Sequence, residues 1–492
     1  MSGTYDLVVL ANRLPVRRLE GARWATSPGG LVSAVFPILQ RERDEGRGGA
    51  WIGWSGSREE SFEPFDHEGV LNVPVNLDDE TVSAHYDGMS NGTLWPLYHD
   101  AVRPPTFRRR WWWAYAAVNR RFAAEAVERA SEGALVWVHD YHLHLVPGLI
   151  REARPDVRIG YFLHIPFPGY RLFSQLPWRR EILRGTLGSD VAGFQTADDA
   201  ENFISAADRY TAGQRAEGEP SRGGGRVSFE GRTVEARAFP ISIDAKRMDE
   251  IARSEPVRRL AAEHRERIGD RRILLGVDRM DYTKGIVLRL RAFQELLRSG
   301  RVSPEDAVLI QSCVPSREQV EAYTDLRSEI EEMVGQINGE FGSVGVGPVQ
   351  YLRQSLPHEE LVALYLAADV MMVTPVRDGM NLIAKEYVAS RTEEDGALVL
   401  SECTGAANEL REALIVNPHD LDGIVGALHA GIRMDRDEQR QRMRAMRQRV
   451  FENDVYAWAD GFMRALRGEG ERPGPRTRVS GGSQARAGGS LG

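Results

Sequence analysis

Short apolar, β-branched runs recur along the chain, and longer amphipathic stretches separate them. The runs lie at residues 7–11, 135–138, 159–163, 191–194, 273–277, 308–310, 370–373 and 398–400. Stretches at 287–297, 318–337, 358–367 and 421–432 carry apolar residues at helical spacing instead. A continuous apolar run of four or five residues suits a strand buried on both faces. Strands alternating with helices predict parallel sheets with helices on both faces, and so an α/β fold. Ligands of such sheets bind at the carboxyl ends of the strands.

With 492 residues the chain exceeds one hydrophobic core, which implies two or three domains. The alternation restarts after Phe239-Pro240-Ile241, so the expected units are 1–240 and 241–455. A last helical stretch, 456–468, carries Trp458 and Phe462 and is expected to cross back to the first unit. From 469 to 492 the chain becomes Gly, Pro, Ser and Arg without periodicity, which predicts a disordered tail. The glycine-rich segment 213–226 (GQRAEGEPSRGGGR) reads as a loose surface loop.

Composition excludes several classes. A net charge of −8 gives no basic footprint for nucleic acid. The run Arg108-Arg109-Arg110-Trp111-Trp112-Trp113 leads into an amphipathic helix at 114–122, so it reads as a solvated edge with buried tryptophans. Two cysteines, Cys313 and Cys403, do not make a disulfide framework and fit a reducing cytoplasm. No apolar stretch reaches the length of a membrane span, so no membrane partner is expected. G-x-x-x-x-G-K-[ST], G-x-S-x-G and H-E-x-x-H are all missing, which disfavours an NTPase, an esterase and a zinc protease.

The polar turns that could carry chemistry follow the predicted strands. Pro375 to Tyr387 joins a strand to a helix through Arg377, Asp378 and Gly379. A helix N-terminus has unpaired N–H groups and roughly half a positive charge, so the helix start beside Gly379, which lacks a Cβ, is a candidate phosphate site. Asp378 and Glu386 beside it can accept from sugar hydroxyls; an ordinary solvated strand–loop–helix unit is the competing reading. Arg279 and Lys284, five residues apart after the strand 273–277, are a second candidate diphosphate clamp, with a surface ion-pair turn as the alternative. In the first unit, Asn12-Arg13, Ser27 to Leu31 with Gly30, His139 to His144 and His164 to Pro168 are the corresponding turns. Asp140 is a candidate hydroxyl acceptor or base and His164 a candidate sugar contact, with a satisfied structural residue as the competing reading for either. His139, Asp140, His142 and His144 also permit a metal, but no second ligand cluster accompanies them. The pairs Asp420/Asp422 and Asp435/Asp437 read as helix caps rather than metal–nucleotide sites.

Nine segments in order resemble the trehalose-6-phosphate synthases, retaining glycosyltransferases of the GT-B architecture. They are Asn12-Arg13, Pro28-Gly29-Gly30, Trp51 to Gly56, Asn91 to Pro96, His139 to His142, His164 to Pro168, Asp278 to Gly285, Arg377 to Tyr387 and Gly405 to Glu409. The resemblance implies two Rossmann-like domains facing a central cleft. It implies transfer of glucose from UDP-glucose or GDP-glucose to glucose 6-phosphate, with retention and without a metal or other cofactor. Arg279, Lys284 and the backbone of Gly379 to Leu382 would hold the donor diphosphate, with Gly30 across the cleft. Asp378 and His164 would contact the transferred glucose, and Glu386 the ribose. Asp140 and Trp95 would orient the acceptor, Trp54 would wall it, and Arg13, Tyr86 and Arg317 would grip its phosphate. Leu356 stands where some members carry an aromatic ring near the base, so both donors stay open. Oligomeric state is also open, a homo-oligomer included. The alternatives are a pseudo-glycosyltransferase joining cyclitols on the same scaffold, a non-catalytic phosphosugar sensor and a metal-dependent hydrolase.

Overall fold

The computed structural model describes residues 4–18, 23–27, 30–216, 223–316 and 321–469. Two large sheets organise them. The first has ten described strands, in edge-to-edge order Gln214–Arg215, Gly224–Phe229, Arg232–Ala238, Val191–Phe194, Arg158–Phe162, Ala130–His139, Tyr5–Arg13, Gly49–Trp54, Val70–Pro74 and Phe65–His67. Its centre is parallel, and antiparallel pairs occur only toward the two edges. The second sheet has six described strands, all parallel, in the order Val349–Leu352, Ala307–Val314, Arg272–Arg279, Val370–Val373, Ala397–Ser401 and Leu414–Val416.

Side chains alternate across each sheet, so one strand feeds two cores. Leu7, Val9 and Ala11 face the helices Gly30–Asp44 and Val455–Arg467, while Val8 and Leu10 face the side of the helix Arg109–Arg129. All six residues of Gly49–Trp54 and all four of Val370–Val373 are buried. This two-sided cover is why central strands read as unbroken apolar runs.

The helix Val455–Arg467 lies against the first sheet although it ends the described chain. Phe462 stacks on Trp137 with ring centroids 4.6 Å apart. A Cβ on Gly160 or Gly193 would come within 2.6 or 2.8 Å of the Phe462 ring, so these two glycines admit the helix. Trp458 Nε1 donates to the Phe239 carbonyl at 3.2 Å, and Arg467 pairs with Glu42 at 2.8 Å. Asp454 caps its first turn, and Gly468 at φ 75° ends it.

Two local expectations are corrected. Within 213–226, residues Gln214–Arg215 and Gly224 onward are strand: Gly224–Phe229 forms an antiparallel hairpin with Arg232–Ala238, and Gln214–Arg215 pairs antiparallel with the other edge of Gly224–Phe229. Val227 and Phe229 alternate into the core beside the helix Ala197–Tyr210, and Glu230 and Gly231 at positive φ close the turn. The glycines hid that alternation; 217–222 lie outside the described residues, as do 470–492 of the expected tail. The tryptophan run is also not uniformly buried. Its helix begins at Arg109, Trp112 stacks on Trp178 at 5.1 Å, and Trp113 is 62% exposed. No described helix is long and apolar enough to cross a membrane.

Candidate active site

A cleft of about 760 Å³ opens where strands of both sheets end. Arg13 closes the strand Tyr5–Arg13, Asp140 follows Ala130–His139, and His164 follows Arg158–Phe162 by one residue. Arg279, the last residue of Arg272–Arg279 in the second sheet, reaches the same cavity. Parallel register places these ends together on one side of each sheet.

The first-sheet wall is aromatic and cationic. The Arg13 guanidinium lies 4.3 Å above the Trp54 ring. It stays open to the cleft, yet lost hydration lowers its pKa, with Arg58 adding to the effect. Gly56 makes room for it: at φ 95° a Cβ would fall 1.7 Å from Arg13 Nη1. Tyr86 stacks on His142 at 5.7 Å and tilts against Trp54 at 5.9 Å. Tyr86 is carried by a twelve-residue π-helix, Ser83–Leu94, which delivers Trp95 at its end. Such helices are rare and concentrate at functional sites. Gly88 and Gly92 let Trp111 lie on this one, and no sequence period announced it.

Asp140 occupies a backbone region that costs a non-glycine residue about 1–3 kcal/mol, at φ 75° and ψ 167°. Its N–H donates to the Phe162 carbonyl at 2.7 Å, and its Oδ1 accepts from the His164 N–H at 3.2 Å. The two turns are thereby locked together. His164 Nε2 meets His139 Nδ1 at 3.2 Å. Burial lowers the pKa of His164 to about 3 and that of His139 well below its ordinary value, so both rings are neutral near pH 7.

On the second-sheet side, Lys284 Nζ pairs with Asp378 Oδ2 at 2.6 Å, and Asn381 Nδ2 donates to the same oxygen at 3.0 Å. Burial alone raises Asp378, but Lys284 outweighs it and leaves the carboxyl below its usual value. Asn381, at φ 70°, is the N-cap of the helix Leu382–Ser390 and accepts from the Ala384 N–H at 3.2 Å. Arg279 stacks over Trp95 at 5.6 Å, and its Nη1 reaches Ser316 Oγ at 3.5 Å. Gly379 is required by a contact the sequence does not reveal. A Cβ there would come within 2.3 Å of the His164 carbonyl oxygen, so the second-sheet loop at Gly379 touches the first sheet's His164 turn directly. Arg377 adds ion pairs at 3.5 Å to Asp100 and 3.7 Å to Asp199 across the same divide. Glu386 accepts from the Tyr365 hydroxyl at 3.0 Å, and burial raises its pKa.

The structure thus brings Arg13, Tyr86, Trp95, Asp140, His164 and Arg279 to one cavity, with Trp54 beneath Arg13. Lys284, Asp378, Gly379 and Asn381 share one cluster, with Met380 and Leu382 in the same turn and Glu386 one helical turn further on. Gly30 begins the helix Gly30–Asp44; Pro28, Gly29 and Arg317 lie outside the described residues. His144 is drawn away from the histidine cluster by Tyr98, Tyr161 and Thr186. Among the described residues no three His, Cys, Asp or Glu side chains group to hold a metal. Asp420 and Asp435 are N-caps. Tyr365 and the π-helix were missed by sequence reasoning, because neither sits in a polar turn.

The family model Glycosyltransferase family 20 matches residues 5–468. A trehalose-6-phosphate synthase of Mycolicibacterium vanbaalenii is 52% identical over 478 residues, spanning 94% of this chain and 96% of that protein. A solved UDP-forming α,α-trehalose-phosphate synthase of Burkholderia xenovorans, in complex with glucose-6-phosphate, is 34% identical. It superposes with a TM-score of 0.85 and covers 94% of this chain and 99% of its own. An E. coli structure described as bound with UDP-2-fluoro glucose is 31% identical, with a TM-score of 0.86 over 95% of this chain and 100% of its own.

Proposed function

The chain belongs to glycosyltransferase family 20, and on that premise we propose how its cleft transfers glucose from a nucleoside-diphosphate glucose to glucose 6-phosphate, giving α,α-trehalose 6-phosphate. The observation that carries the reading is Arg279, a second-sheet cation standing over Trp95 in a cavity otherwise built by the first sheet. A leaving diphosphate and an incoming phosphosugar meet at such a junction.

Residues 1–240 form the acceptor unit, 241–455 the nucleotide-sugar unit and 456–468 the returning helix. Arg279 and Lys284, with the amides of Gly379, Met380, Asn381 and Leu382, hold the diphosphate, and Gly30 approaches it from across the cleft. Lys284 is already paired with Asp378 at 2.6 Å, so the diphosphate takes up a cation whose position is set before binding. Asp378 and neutral His164 hydrogen-bond the glucose being transferred, and Glu386 accepts from the ribose. Asp140 and Trp95 orient the acceptor hydroxyl, with Trp54 as a wall. Arg13, Tyr86 and Arg317 grip the 6-phosphate.

Charge developing on the departing diphosphate is met by two side-chain cations and a helix N-terminus, so the scheme needs no metal. Configuration is retained by departure and attack on the same face, with the leaving phosphate oxygen taking the acceptor proton. The Gly379–His164 contact closes donor and acceptor sides over the substrates and excludes water as a competing acceptor. Both cysteines are free thiols, which supports a cytoplasmic setting.

The test incubates the protein with UDP-glucose or GDP-glucose plus glucose 6-phosphate and follows nucleoside diphosphate release and the disaccharide phosphate. UDP-glucose is the reference donor, because the Burkholderia relative is UDP-forming. Release without any disaccharide phosphate, with either donor, overturns the proposal.

A further inference from the structure

The helix Leu382–Ser390 packs beside His358–Ala367, and a side-chain hydrogen bond links the two. The Tyr365 hydroxyl donates to Glu386 Oε2 at 3.0 Å. Tyr365 is fully buried, and its ring stands edge-on to Tyr387 with centroids 6.3 Å apart. Its own carbonyl accepts from Arg391 Nη1 at 2.7 Å, which fixes the helix end that carries it. A hydroxyl on a ring held in this way has little freedom to point elsewhere. Glu386 is only partly accessible, and no other hydrogen bond to its carboxylate occurs among the described residues.

We propose that Tyr365 is a positioning residue for donor selection: by fixing the Glu386 carboxylate it makes the site choose a ribonucleoside diphosphate sugar over its 2′-deoxy counterpart. The inference rests on the reading of Glu386 as the ribose contact. A carboxylate is acceptor-only, and a ribose offers it neighbouring hydroxyl donors. Tyr365 occupies one carboxylate oxygen from behind and turns the other toward the sugar. A 2′-deoxyribose would then leave a desolvated carboxylate with a missing donor, which is costly when the group cannot swing to another partner. Tyr365 also opposes the effect of burial on Glu386, since its hydrogen bond favours the charged form. His358, on the same helix as Tyr365, acts in the same direction, and the Asp278 carboxylate opposes ionisation of the Tyr365 hydroxyl.

The experiment compares kcat/KM for UDP-glucose and 2′-deoxy-UDP-glucose in the native protein and three variants. The native protein should prefer the ribonucleotide by at least about 100-fold, a floor below the roughly 10⁴- to 10⁵-fold reached when a site built to hydrogen-bond a hydroxyl meets an analogue lacking it. Tyr365→Phe keeps the ring and should cut that preference about tenfold, the loss expected for one hydrogen bond to a charged group. It should leave the KM for glucose 6-phosphate unchanged. The acid limb of kcat/KM for UDP-glucose should move to higher pH, because Glu386 loses the donor that favours its ionised form. Glu386→Asp withdraws the carboxylate from an intact Tyr365 and should relax selection in the same way, so a poorly folded Tyr365→Phe does not end the test. Glu386→Ala should abolish the preference and raise the donor KM. If Glu386→Ala changes neither, the ribose reading itself fails. If Glu386→Ala collapses selection while Tyr365→Phe and Glu386→Asp keep the native ratio, Tyr365 has no positioning role.

Discussion

At the scale of single residues, the proposed scheme assigns Arg279 to the donor and Arg13 to the acceptor, and substitutions should separate the two roles. On that scheme Arg279→Ala removes a cation aimed at the leaving group, which typically costs about 3–4 kcal/mol of transition-state stabilisation, so kcat/KM should fall about 100- to 1000-fold. Steady-state rates with saturating glucose 6-phosphate check this, and an unchanged value removes Arg279 from the mechanism. Arg13→Ala should raise the KM for glucose 6-phosphate and leave donor binding intact. Gly56→Ala offers a control that keeps the charge. Its methyl group would lie on Arg13 Nη1 and push the guanidinium off Trp54, so it should reproduce part of the Arg13→Ala effect.

At the scale of elements, the turns that carry Arg279 and Asp378 are held from beneath by a buried network. Arg289, fully buried on the helix Ile286–Arg298, pairs with Asp278 at 2.6 Å and bonds Gln311 at 3.0 Å and Thr374 at 3.2 Å. Those three residues belong to, or directly follow, three neighbouring strands, and two of the strands lead into the Arg279 and Asp378 turns. Arg289→Met leaves Asp278 as an unpaired buried carboxylate, which costs about 3–5 kcal/mol. Urea unfolding should show that loss, and activity should fall with it because Arg279 neighbours Asp278. A variant of native stability would show that the network does not support the fold.

At the scale of the whole molecule, the interior holds histidines that burial keeps neutral. Burial lowers His85, His144 and His164 to about 3 and His99 to about 4. Neither ring nitrogen of His85 has a hydrogen-bond partner among the described residues. Their folded pKa values lie below the unfolded value near 6.5, so the unfolded chain binds protons first as pH falls. Their contribution is complete above about 6.5 and is lost progressively toward 3–4, at up to about 1.4 kcal/mol per pH unit for each ring. Urea midpoints should therefore drop between pH 7 and 5, before most carboxylates titrate. His85→Phe should flatten that slope by about one proton's worth; an unchanged slope would mean the ring titrates normally in the folded protein.

Much of this architecture is legible in the chain. The bounds 191–194, 358–367 and 370–373 match the observed elements, the two strands because a doubly covered parallel strand must be apolar throughout. The polar turns after those strands were legible for the same reason: Arg13, Asp140, His164, Arg279 and Asp378 stand where apolar runs stop. Local pattern could not supply the π-helix that presents Tyr86, the hairpin hidden by Gly224 and Gly225, or the His164 carbonyl as the reason for Gly379. Nor could it pair Tyr365 with Glu386. The hairpin apart, each depends on atoms brought together by the packing of separate segments, and such a contact leaves no periodic trace in either segment. Sequence determined where the central apolar strands lie and end; tertiary packing decided which of those ends face one another across the cleft.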